Sequence, residues 1–227
     1  MCGRFTNLMT WAEIHGLYSI HDNGPPPTNT PPRYNIAPTQ TVFFAHRDKA
    51  GNLEIDQGRW WLVPFFAKEL PKAAMFNARI ETVETSGAYR EPFKSKRCLI
   101  PADGYFEWTT NSEDGKKDPW LLQLPEARPF SFAGLWAHND RLGVTSCTIM
   151  TAPAVDSISH IHGRMPVILD PTIYDRWLDP SVQGADAKSV LLEGQIDDQL
   201  EFHRVGRDVN SSRYAGSDTK KPIVNSL

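Results

Sequence analysis

The sequence predicts an α+β fold in which a curved, largely antiparallel and barrel-like β-sheet is flanked by a few helices. Its 227 residues, 40% hydrophobic and 22% charged, are enough to bury one sizeable core. Short segments rich in aromatic and β-branched residues follow one another between residues 41 and 169, which is typical of short strands. Helical periodicity is seen before that region, at residues 11–18, and after it, at residues 174–178. We therefore expect a single domain over residues 1–227.

The first and last elements have local signals. The capping-box spacing from Thr10 to Glu13 predicts a short amphipathic helix that ends near residues 22–24. Five prolines within residues 25–32 predict an extended surface loop. Asp170 followed by Pro171 predicts the start of a late helix. The polar stretch from about residue 211 predicts a tail that lies on the surface.

Between these elements the pattern predicts strands and one hairpin turn. The strands are expected at residues 41–45, 59–63, 130–137 and 146–151, with a closing strand at 200–205 and the turn at 112–115.

Charge and cysteine usage exclude several classes of protein. The formal net charge is -3, so a polyanion would have to be bound by a local patch. The cysteines, Cys2, Cys98 and Cys147, fit neither a disulfide framework nor a zinc ribbon, which favours a reducing, cytoplasmic location. Apolar runs are too short for a membrane span, and the start does not resemble a signal peptide. We expect no cofactor.

Cys2 is the most suggestive single residue. Removal of Met1 would place an α-amine and a thiol on adjacent carbons, and such groups titrate near about 8 and 8.5. A 1,2-aminothiol condenses with an aldehyde to an imine and then closes to a thiazolidine. The alternative is that Cys2 is only a small residue near an uncleaved start.

Three further segments could assist a nucleophile. Asn77 and Arg79 would share one face of a strand. Glu107 lies among aromatic residues, where desolvation would raise its pKa. His160, His162 and Arg164 are two positions apart, so their side chains would share one face of an extended segment. Each also has a structural explanation: a strand-edge amide, an ion-paired carboxylate, and histidines bonded to carbonyl groups. A metal pair at the histidines is conceivable, but no third ligand has a recognisable spacing, so no metal is expected.

For nucleic acid, one local signal is basic and one is aromatic. Four basic residues fall within residues 90–97, and phosphate neutralisation needs such a cluster, although a solvated face is favoured here. Trp60, Trp61, Phe65 and Phe66 could stack on bases or belong to the core.

Six ordered motifs together resemble the SOS response-associated peptidase (SRAP) family, whose members form covalent links to abasic sites in DNA. They are MCGRF at residues 1–5, RYNIAPTQ at 33–40, FNARIET at 76–82, RCLIPADGYFEW at 97–108, FAGLW at 132–136 and HGRMPVIL at 162–169.

The resemblance implies roles residue by residue. Cys2, freed of Met1, would attack the ring-opened sugar of an abasic site in single-stranded DNA and end as a thiazolidine crosslink that shields the site from strand cleavage. Asn77 would orient the α-amine, Glu107 would shuttle protons, and His162 would assist ring opening, closure or reversal. The phosphate-gripping residues would be Arg4, Arg79 and Arg164.

Two points qualify the resemblance. Similar proteins have a glycine where this chain has Trp61 and a tryptophan where it has Phe66, so the aromatic wedge next to the lesion, Phe65 and Phe66, would differ in shape. A retained Met1 would block the amine. Two other functions stay open: a thiol peptidase that uses Cys2, with its own Met1–Cys2 bond as a candidate substrate, and a non-covalent single-stranded DNA-binding module.

Overall fold

The computed structural model describes residues 2–20 and 30–223. Its helices are α1 (Trp11–Leu17), α2 (Arg90–Ser95), α3 (Asp156–Ser159), α4 (Tyr174–Leu178) and α5 (Gly184–Glu193). Its strands are β1 (Phe5–Asn7), β2 (Arg33–Ile36), β3 (Thr41–Arg47), β4 (Leu53–Trp60), β5 (Asn77–Arg79), β6 (Arg97–Ala102), β7 (Gly104–Thr110), β8 (Lys117–Gln123), β9 (Phe130–Asn139), β10 (Val144–Pro153), β11 (Arg164–Pro166), β12 (Ile168–Leu169) and β13 (Glu201–Arg204).

The strands form two sheets. The smaller has the order β13-β8-β7-β1-β2, and every neighbouring pair is antiparallel. In the larger, β4, β3, β6, β9 and β10 pair in succession, and β10 returns to β4, so the sheet closes into a ring. The pairings of β10 with β4 and β5 are parallel. The predicted α+β, largely antiparallel, barrel-like fold is therefore confirmed, as a ring of strands with few helices.

Close packing inside the ring depends on a glycine. Gly134 on β9 pairs with Cys98 on β6 and with Ile149 on β10. A Cβ at this position would lie 2.9 Å from the Cys98 sulfur and 3.0 Å from the Thr148 carbonyl oxygen. A larger residue would force the three strands apart, because interiors are already packed to crystal-like density.

Most local predictions hold, with shifted boundaries. Thr10 caps α1 through a capping box with Glu13, but the helix ends at Leu17; residues 22–24 and most of the expected proline-rich loop lie outside the described residues. Asp170 accepts a hydrogen bond from the Thr172 amide and starts a 3₁₀ turn that continues into α4. The segment expected as a strand at 59–63 leaves the sheet after Trp60.

The C-terminal stretch lies on the surface and is anchored there. Its 3₁₀ turn, Ser217–Lys220, buries Thr219, whose hydroxyl donates to the Tyr34 carbonyl at 3.2 Å. Lys220 forms an ion pair with buried Asp103 at 2.8 Å. That the whole chain is one domain stays a prediction. Across the two described ranges, none of the helices has the length and apolar character needed to cross a membrane.

Candidate active site

Four segments that are far apart in sequence meet around Cys2. The residue lies just before β1 and is fully buried in the core cluster that also contains Phe5, Trp60 and Tyr105. The Asn77 side chain on β5 donates a hydrogen bond from Nδ2 to the Cys2 carbonyl oxygen at 2.9 Å. Its Oδ1 is buried and accepts no hydrogen bond from the described residues. Asn77 therefore holds the backbone of Cys2 and keeps an acceptor beside it.

The thiol of Cys2 lies in an environment that opposes its ionisation. Burial raises its pKa well above the ordinary value, and the negative charge of Glu107 acts in the same direction. Its hydrogen bond to the Arg4 carbonyl is long, 3.9 Å. Because the thiolate is the reactive form, this thiol needs a base before it can act as a nucleophile.

Glu107 is the charged group beside that thiol. It lies on β7, is 4% exposed, and its pKa is raised by burial, while the imidazole of His162 acts in the opposite direction. His162 is half-buried and follows α3; its Nδ1 lies 3.0 Å from both the amide nitrogen and the carbonyl oxygen of Arg164. A buried carboxyl group with a raised pKa is suited to hold a proton and release it during a reaction.

Two of the three candidate phosphate-binding arginines, Arg4 and Arg79, carry charges that no described carboxylate pairs with at ion-pair distance. Arg4 donates to Asn35 Oδ1 at 2.9 Å and to the carbonyl groups of Val209 and Asn210. Arg79, at the end of β5, is exposed. These guanidinium groups keep a net charge that an anion could neutralise.

Arg164 differs from the other two arginines. It forms a two-pronged ion pair with Glu81, at 2.8 and 3.0 Å, and donates to the Thr151 carbonyl at 2.9 Å. A phosphate at Arg164 would therefore have to compete with a carboxylate.

The predicted aromatic wedge is exposed. Phe65 and Phe66 are each 57% accessible, and their rings meet edge to face with centroids 5.3 Å apart. They are the central residues of a turn closed by a hydrogen bond from the Ala67 amide to the Pro64 carbonyl at 2.9 Å. The start of this loop is fixed by a hydrogen bond from the Leu62 amide to the carbonyl group of Met75, which lies two residues before Asn77.

The other residues singled out in the sequence lie elsewhere. His160 packs against Trp120 and Phe202. The basic cluster at 90–97 is partly structural: Arg97 is buried and bonds to the carbonyl groups of Phe93 and Trp177, so the expectation of a solvated face was wrong at that residue. Within the described residues no group of three histidine, cysteine or acidic side chains could hold a metal ion.

Several supporting residues had no usable sequence signal. Hydrogen bonds join Arg4 to Asn35, Arg164 to Glu81, and the loop of Phe65 and Phe66 to Asn139. The partners in each pair are 31 or more positions apart in the chain. Single asparagines and glutamates have no characteristic spacing, so only the fold brings them to the site.

The fold and this cluster define a class: an α+β protein whose second-position cysteine contacts an amide side chain and lies beside a buried carboxyl group, on which an imidazole acts. The sequence matches the family model described as SOS response associated peptidase (SRAP) over residues 1–212. The chain belongs to this family.

Curated relatives and solved structures agree with that assignment. The abasic site processing protein YoaM of Bacillus subtilis is 36% identical over 217 residues, with 94% of each chain covered. The abasic site processing protein YedK of Escherichia coli is 28% identical, covering 98% of this chain and 100% of that one. A phage-related protein from Bordetella bronchiseptica has a similar structure, with a TM-score of 0.76, 26% identity and 94% and 99% coverage.

Proposed function

We propose that this protein senses abasic sites in single-stranded DNA and forms a covalent thiazolidine crosslink to them through Cys2, after loss of Met1. The observation that carries the proposal is the hydrogen bond from Asn77 to the Cys2 carbonyl, made beside the buried carboxyl group of Glu107. The names of the relatives support DNA with abasic sites as the partner.

The chemistry is a condensation. The α-amine of Cys2 adds to the C1 aldehyde of the ring-opened sugar, and the carbinolamine loses water to give an imine. The thiol then adds across the C=N bond: sulfur bonds to carbon, and the thiol proton goes to nitrogen. One water is released in total. Thiazolidine formation removes the imine that would otherwise promote loss of the 3′ phosphate, so the strand is protected from cleavage.

The site divides the work between two nucleophiles. Since burial and Glu107 disfavour the thiolate, the amine forms the first bond and the thiol the second. The Oδ1 of Asn77, which accepts no hydrogen bond from the described residues, is suited to accept one from the amine. Glu107 gives a proton to the departing hydroxyl group and then takes one from the thiol, while His162 assists opening and closure of the ring.

The same observations disfavour a thiol peptidase. A hydrolase of that type starts from a stabilised thiolate, which makes the first bond to its substrate. Here burial raises the pKa of the thiol and the charge of Glu107 raises it further, so the thiol is poorly suited to make the first bond. Autoprocessing of the Met1–Cys2 bond and non-covalent DNA binding remain as outcomes of the experiment.

The test uses a single-stranded oligonucleotide in which uracil has been excised. We expect a band that resists denaturant with the parent protein, and none when a tag precedes Cys2 or with Cys2→Ala. Cys147→Ala is the matched control, because Cys147 is equally buried but belongs to β10, and it should retain the crosslink. Retention of DNA without a covalent band, or turnover of peptides alone, would contradict the proposal.

A further inference from the structure

A groove of about 700 Å³ lies beside the N-terminal segment and is not used by the chemistry above. Its lining comes from Arg4, from the β7–β8 hairpin and from the 3₁₀ turn Arg207–Asn210. The lining residues are Arg4, Trp108, Gly115, Lys116, Lys117, Arg207 and Asn210. This volume is within the range of pockets that bind small organic groups and is enough for a nucleotide.

The groove has an excess of positive charge. Four of its lining residues are cationic and none is acidic. Arg207 is neutralised by ion pairs with Asp114 and Asp118. Lys116 and Lys117 are exposed, and among the described residues neither forms an ion pair; the Lys117 ammonium group donates to a hydroxyl group, Thr110 Oγ1, at 2.8 Å. The groove therefore presents two exposed ammonium groups, neither in an ion pair with a described residue, and such groups can bind phosphate.

One wall of the groove is the indole ring of Trp108, whose position is fixed by a hydrogen bond. The Trp108 indole donates from Nε1 to Asn210 Oδ1 at 2.6 Å, and the Arg4 guanidinium lies 6.0 Å from the ring. Base stacking on such a ring tolerates any sequence. An acidic peptide would use the ammonium groups but not the aromatic face, so the combination favours single-stranded nucleic acid.

Arg4 links the groove to Cys2. Its carbonyl accepts hydrogen bonds from the Cys2 thiol and from the Phe106 amide, while its side chain reaches the groove. Glu107 and Trp108 are adjacent on β7, so their side chains point to opposite faces of the sheet. Cys2 and the groove therefore lie on opposite faces of this sheet, and Arg4 bridges them: it is two residues from Cys2, and its guanidinium group lies beside the Trp108 ring.

We infer that the groove binds a nucleotide flanking the lesion, with its base on Trp108 and its backbone phosphates at Lys116 and Lys117. The inference rests on the proposed function, because it assumes that the strand is positioned by its abasic sugar at Cys2. It assigns a role to Lys116 and Lys117, which lie outside the six motifs shared with the family.

The test measures equilibrium affinity with single-stranded oligonucleotides that contain a tetrahydrofuran abasic analogue, which cannot crosslink. The strand is lengthened stepwise on one side of the analogue or on the other. For the parent protein, lengthening the oligonucleotide on one side of the analogue should increase its affinity for the protein, because the added nucleotides occupy the groove. Lys116→Gln with Lys117→Gln should remove that gain and lower affinity for the long strand about tenfold. The slope of log affinity against log salt should shrink by about 1.4, the value for two single-strand phosphates.

The charge-matched control is Lys49→Gln with Arg128→Gln, two exposed basic residues on the β3–β4 turn and just before β9. It should leave the gain on lengthening intact. The inference is overturned if the groove variant behaves like this control, or if it weakens the shortest strand as much as the longest. Crosslinking by the parent protein is measured separately on the reactive oligonucleotide, so a failure of the groove is distinguishable from a failure of the proposed chemistry.

Discussion

Asn139 controls the exposed aromatic turn from inside the protein, and its removal gives a quantitative prediction. The side chain is fully buried at the end of β9. Its Nδ2 donates to the Pro64 carbonyl at 2.7 Å and to the Ala67 carbonyl at 3.0 Å, so it holds both ends of the turn. Its Oδ1 accepts from the Leu142 amide at 2.9 Å.

Asn139→Ala removes all three hydrogen bonds. At about 0.5–1.5 kcal/mol each, with buried partners left unpaired, the free energy of unfolding should fall by about 2–4 kcal/mol. The turn would lose its fixed position, and stacking on Phe65 and Phe66, worth about 1–3 kcal/mol per base, would be lost in part. We expect affinity for abasic single strands to fall about fivefold or more.

The assay combines denaturant unfolding with a double-mutant cycle on DNA affinity. The second variant in the cycle is Phe65→Ala with Phe66→Ala, and the matched control is Asn52→Ala, whose side chain bonds only within its own exposed turn. If Asn139 acts through the aromatic turn, the affinity losses should overlap. Fully additive losses would refute the reasoning, even if the protein were destabilised as expected.

Three further predictions follow from charged groups. Glu107→Gln should slow crosslinking about 100-fold in a single-turnover assay with little change in affinity; an unchanged rate would return Glu107 to a structural role. Glu81→Gln should free Arg164 from its ion pair and tighten DNA binding about two- to fivefold by titration, whereas weaker binding would show that the pair supports the site. Burial raises the pKa of Asp197 to about 8, so the folded state holds a proton that the unfolded chain releases near pH 4. The free energy of unfolding should therefore fall by up to about 1.4 kcal/mol per pH unit between pH 4 and 8. Asp197→Asn should flatten that profile in denaturant unfolding, and an unchanged profile would contradict the assignment.

Local chemistry made part of the fold predictable. The Thr10 capping box and the Asp170-Pro171 start are decided within four residues, so both helix starts are where the sequence predicts them. The closing of the ring is not local. It depends on β10 pairing with β4 across more than 80 positions, and no short pattern encodes that contact.

The candidate site was predictable to a similar degree. The chemistry of a second-position cysteine singles out Cys2, the resemblance to the family predicts Asn77 and Glu107 as its partners, and the fold brings the three residues together. The state of Arg164 was not predictable, because its partner Glu81 reaches it only through the fold. The groove at Lys116 was missed for the same reason, since its walls come from residues about 100 positions apart.

The most direct test of the central claim is the mass of the adduct. The parent protein is reacted with an abasic single strand, the complex is digested with protease and nuclease, and the modified peptide is sequenced by mass spectrometry. We predict an N-terminal peptide that begins at Cys2, lacks Met1, and carries the sugar fragment with the loss of one water. A sugar fragment on a lysine, on Cys98 or Cys147, or on a peptide that still begins with Met1 would contradict the account.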